Sequence, residues 1–159
     1  MRMIAPFSVI IALTLPAALA AESYSMNGTG KAQSSATTHE VAEGHMLISA
    51  QSEYTSIEAE DENNPLNGAT GPCFGAMEIV DGSLSGGGRC LYTDQTGDMA
   101  VLSWTAESMT EDGANAGSWE LTGGSGKYEG GSGGGSYSVA TDQSSGSQTN
   151  TVTGEISLP

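Results

Sequence analysis

The chain has 159 residues, a length that suits one domain, and carries 19 acidic residues against 4 Lys and Arg, for a formal net charge of −15. That balance excludes nucleic acid as a partner and disfavours anionic membrane surfaces, because phosphate binding needs clustered Lys and Arg. With 23 glycines and little helical periodicity, the composition points to an all-β domain; paired cysteines, strand alternation and two tryptophans weigh against disorder.

Residues 1–20 read as a secretory signal. Arg2 supplies the positive start, residues 4–15 a mostly apolar core, and Ala18-Leu19-Ala20 a small-x-small cleavage site. The apolar run is shorter than the roughly 20 residues that a spanning helix needs, and no second run follows, so no membrane span is expected. The expectation is an exported chain, periplasmic or extracellular, with 21–159 as a single β-barrel domain. Cleavage leaves three bases, Lys31, Arg89 and Lys127, against 19 acids, a balance of −16. Such self-repulsion is relieved by counter-ions.

Segments with β-branched or aromatic residues recur at 24–34, 45–58, 73–80, 84–93, 99–108, 117–122, 136–141 and 149–158, and eight strands predict a closed antiparallel barrel without exposed edges. The stretch 58–71 is a long polar loop, either a lid across a barrel mouth with Pro65-Leu66 as its apolar contact or a disordered acidic loop. Cys73 and Cys90 come next. In an oxidising compartment they are expected as a disulfide rather than as a metal or redox pair. Asp94 and Asp98 flank a glycine turn that lacks the spacing of a calcium loop.

In the strand that follows, Ala100, Leu102, Trp104 and Ala106 share one face; later, Gly117, Trp119 and Leu121 oppose Ser118, Glu120 and Thr122. Both tryptophans are expected on buried faces, as core or as the wall of a ligand cavity. Glu120 is the candidate acid for that cavity, and Glu78 and Glu107 are the other strand acids. A carboxyl in an apolar cavity has a raised pKa and can move a proton, whereas on the opposite face it meets solvent.

The run Gly123-Gly124-Ser125-Gly126-Lys127-Tyr128-Glu129-Gly130, followed by Gly133, marks backbone in conformations closed to residues with a Cβ, or in close approach to another segment. Tyr128 is its one large anchor, and Lys127 and Glu129 are expected to face solvent. The run resembles the Gly-Gly-Ser/Thr-Gly-x-aromatic signature of the allene oxide cyclase and dirigent families. The order Gly71-Pro72-Cys73, Gly88-Arg89-Cys90, Asp94 to Asp98 and Trp104 is similar to a group of bacterial secreted barrels of the same type. The resemblance implies an eight-stranded barrel with a central cavity, often trimeric. The catalytic carboxylates of those families have no matched position here.

His39 and His45 have no zinc spacing, no serine sits in a strand-turn-helix elbow, and no glycine loop opens a helix, so neither a metal nor a cofactor is expected. The expected role is binding of a small, mostly apolar ligand in the barrel cavity. The alternatives are a cyclase or isomerase that confines a reactive intermediate, and an acidic structural or surface-interaction protein that holds no ligand.

Overall fold

Alternating sequence of this kind places most of residues 21–159, the part described by the computed structural model, in strand. The predicted signal, 1–20, lies outside the described residues. Nine strands follow in order: β1 (Glu22–Ser25), β2 (Gly28–Ala42), β3 (His45–Ala59), β4 (Gly71–Val80), β5 (Ser83–Thr93), β6 (Met99–Met109), β7 (Asn115–Gly124), β8 (Ser132–Thr141) and β9 (Ser147–Leu158). The helical element among them is a single 3-10 turn, Gly126–Tyr128.

Strands β2 to β9 form a closed, eight-stranded antiparallel barrel, each paired with the next, and β9 pairs with both β8 and β2. β1 is the additional strand. It takes the end of β9 from Glu155 to Leu158, while β2 takes Ser147 to Val152, so the two share one edge of β9. Among the described strands, closure pairs most edges; an exception is β2 beyond Ser34, where residues 35–42 pair with β3 alone.

Cys73 and Cys90 are direct register partners on β4 and β5 and form the expected disulfide. Strand boundaries depart from the sequence expectation in three places. The segment read as one strand over 24–34 is broken at Met26-Asn27 into β1 and β2. β2 runs on to Ala42, and β8 starts at Ser132 and takes in the three glycines Gly133 to Gly135.

The two ends of the barrel differ. One carries the hairpin turns at Gly44, Asp81-Gly82, Gly113 and Gly146, where the chain reverses with positive φ. At the other, the segments 60–70, 94–98 and 125–131 converge with the end of β9. Leu66, Ala69, Tyr128 and Ile156 have no exposed surface there.

The long segment after β3 is not a disordered loop: it lies across one end of the barrel, with Leu66 as its buried apolar contact. Asn64 donates to Ser25 O at 2.7 Å and accepts from Leu66 N at 2.8 Å, and Asn67 caps Ala59 N at 2.7 Å. These bonds fold the segment inward and let Leu66 join the core that seals this end.

Candidate ligand-binding cavity

Between the sealed end and the hairpin end lies a cavity of about 630 Å³, within the roughly 300 to 1,000 Å³ usual for small-molecule sites. Its walls follow from strand alternation. Ala50, Ser52 and Tyr54 enter from β3, Met77 and Ile79 from β4, and Leu102 and Trp104 from β6. Trp119, Tyr137, Gln148 and Asn150 complete the circuit from β7, β8 and β9. Near the hairpins Ile48, Ile79 and Met109 line the mouth, and Met109 is half exposed.

The aromatic side chains are held in fixed orientations. Tyr54 and Tyr92 meet edge to face with centroids 5.3 Å apart, and Trp104 meets Tyr137 in the same way at 6.5 Å. Trp119 Nε1 donates to Thr153 O at 3.0 Å, and the Tyr137 hydroxyl lies 3.3 Å from both Thr105 O and Asn115 Oδ1. With those polar tips engaged, the rings offer apolar faces. Burial pushes the Tyr137 hydroxyl up to about 12.

A polar cluster interrupts this apolar lining. Ser52 donates to Gln148 Oε1 at 2.9 Å, and the amides of Gln148 and Asn150 each donate to the Tyr54 hydroxyl at 3.1 Å. Burial raises the Tyr54 pKa against these two donors. Tyr92, raised further by burial and by the nearby Tyr54, sits with its hydroxyl 3.2 Å from Cys73 Sγ, so the disulfide is part of the cavity wall.

Of the residues singled out from sequence, Trp104 and Trp119 stand opposite each other in register and both line the cavity. Glu120 does not. It is exposed on the outer face of β7, beside Ser103 and Gly134, because alternation sends it away from its buried neighbour Trp119. Glu78 likewise meets His45 outside, at 2.6 Å, and Glu107 accepts from Ser118 there. Among the described residues, the one charged side chain along the cavity wall is the exposed Glu58.

The glycine run belongs to the sealed end. Gly123, Gly124, Gly126 and Gly130 carry the chain from β7 through the 3-10 turn, and Gly133 lies in β8. The turn buries Tyr128. Lys127 does not point freely to solvent: its ammonium binds the Asp94 carboxylate, reaches Asp98 Oδ2 at 3.2 Å and donates to Thr96 Oγ1 at 2.6 Å. Burial alone would raise the Asp94 carboxyl. The bonds from Lys127, from the side chain and backbone of Thr96, and from Tyr128 outweigh it and hold Asp94 well below the usual carboxylate range.

Comparisons with family models, curated proteins and solved structures find no match. Tyr54, Tyr92, Tyr137, Gln148 and Asn150 were not singled out from sequence as cavity residues. Their signal was strand alternation, which puts Tyr54 on the face of Ser52 and Ala50, and Asn150 on that of Gln148.

Proposed function

We propose that this barrel is a binding protein that takes a small, mostly apolar molecule into its interior. The observation that carries the reading is the cavity itself: aromatic and aliphatic walls, one sealed end and one open end. An exported location belongs to the same proposal, supported by the Cys73–Cys90 disulfide. Kinship with the allene oxide cyclase and dirigent barrels is proposed with it, supported by the eight-stranded closure and by the glycine run in the β7–β8 connection. The strand acids considered for the cyclase reading, Glu78, Glu107 and Glu120, stand on the outer face.

Titration of the protein with diphenylhexatriene, an apolar dye that fluoresces when shielded from water, tests the proposal. Saturable fluorescence is expected, and Ala50→Trp, which fills the cavity, should abolish it while leaving the far-ultraviolet circular dichroism intact. No saturable signal, or an undiminished one in the variant, overturns the reading.

A further inference from the structure

Resting on that reading, the geometry points to a ligand with a neutral hydroxyl head, held at Tyr54 and Asn150, and an apolar tail that runs toward the hairpin end. Asn150 Oδ1 is buried and, among the described residues, has no hydrogen-bond partner. Its amide nitrogen is engaged by the Tyr54 hydroxyl. Turning the amide over would pair the oxygen with the phenol and leave the nitrogen unpartnered instead, so either orientation leaves one polar end free. A buried polar group without a partner is costly, and a ligand that supplies the partner gains what the empty site lacks.

Tyr54 has complementary capacity. Its oxygen accepts from Gln148 and from Asn150, so its own proton is left to the neighbouring Tyr92 hydroxyl or to a ligand. With the amide in this orientation the cluster presents the phenol O–H and the unpaired Asn150 oxygen; turned over, the phenol gives its proton to that oxygen, and the cluster presents an amide N–H and a free lone pair on Tyr54. A hydroxyl both donates and accepts, and so fits either arrangement.

Charge excludes the ionic heads. The bases of the described residues, Lys31, Arg89 and Lys127, lie outside the cavity; Lys31 and Arg89 are exposed and Lys127 is held by Asp94 and Asp98. A carboxylate would lose its hydration with no cation to meet it. It would also approach past Glu43, Asp81, Glu111, Asp112 and Asp142 on the hairpins around the mouth. An ammonium passes that ring but finds no carboxylate bonded to the cluster.

The test is displacement of diphenylhexatriene from the full chain by decan-1-ol, decanoate and decyltrimethylammonium, read as competition constants. Decan-1-ol is expected to compete at least tenfold better than either ion. Tyr54→Phe and Asn150→Leu should each weaken decan-1-ol about tenfold or more, with dye affinity unchanged. If an ion competes as well as the alcohol, or if both variants hold the alcohol as tightly as the parent, the hydroxyl-head inference is overturned although the cavity reading stands. If the dye itself does not bind, the cavity reading falls first.

Discussion

The Tyr128 hydroxyl donates to Asp94 Oδ2 at 3.1 Å, tying the glycine run to the β5–β6 turn 34 positions earlier. Lys127 shares the same carboxylate, whose side chain is 1% exposed. Removing a partner leaves a buried charge underpaired. Tyr128→Phe is expected to cost about 1.5 to 3 kcal/mol, the range for hydrogen bonds to charged groups, and Tyr128→Ala roughly 3 to 5 kcal/mol through lost packing. Lys127→Met should also destabilise the protein, contrary to the solvent-facing role its sequence suggested. Urea unfolding at neutral pH measures all three; a Lys127→Met midpoint equal to that of the parent would refute the assignment.

The pH dependence follows from the same cluster. The Asp94 pKa is lowered on folding from its ordinary 3.8, so the stability it contributes is present above about pH 4 and is lost as the pH falls toward its folded value. Tyr128 and Lys127 are both raised, from 10.0 and 10.5; their contribution is present below about pH 10 and disappears as the pH climbs further. Stability relative to Asp94→Asn should therefore be constant through the neutral range and shrink below pH 4. A difference that grows on acidification would contradict this.

Two glycines of the run should resist substitution. A Cβ on Gly124 would lie 2.2 Å from Met99 O and 2.5 Å from Tyr128 Cβ, and Gly126 has φ +55° with the Asp98 carboxylate 2.0 Å from the same point. Gly124→Ala and Gly126→Ala are each expected to cost about 1 kcal/mol or more. Thermal melts check this; unchanged melting temperatures would show that the turn relaxes freely.

The disulfide closes a loop containing the β4–β5 hairpin, and its reduction should lower stability by up to about 3 kcal/mol. Because Cys73 and Cys90 border the cavity, reduction should also weaken dye binding beyond what partial unfolding explains. Calorimetry and dye titration with and without reductant, below the melting range, separate the two effects.

Excess negative charge should make stability rise with salt as repulsion is screened. Sodium and magnesium chloride at equal ionic strength are expected to give equal gains. A much larger gain from low magnesium would instead assign a cation to the acidic loops.

The barrel was legible because six of its strands announce themselves by alternation around large residues, as Trp104 and Trp119 do. β2 beyond Ser34 was not. Its inward positions Ala36 and Thr38 are small and front the cavity rather than a packed core, so no apolar stripe marks them. Gly133 to Gly135 read as loop but form strand: Gly135 is the register partner of Trp119, and a strand beside a large inward indole has little need of side chains of its own. Segment 60–70 looked like solvated acid because its packing rests on Asn64 and Leu66, two residues in a polar run whose partners lie on β1 and in the distant core. The Asp94–Lys127 contact was hidden for a similar reason, since 33 positions separate the two residues. Alternation says which side a residue faces, but not which loop it will meet.

β9 follows the other eight described strands in the chain, yet β1, β2 and β8 all pair with it. Its 12 residues complete the ring, so a growing chain can build the β2-to-β8 meander from neighbours but cannot close it until the final segment is free. Closure then requires contacts between residues far apart in the chain, such as Gly28 with Val152, and contacts so remote in sequence slow folding. Until that moment two strand edges and the future cavity stand open together. A molecule shaped like the eventual ligand, or a chaperone that shields apolar strands, has its greatest leverage in that interval, and a chain cut short before Ser147 would remain an open sheet prone to self-association.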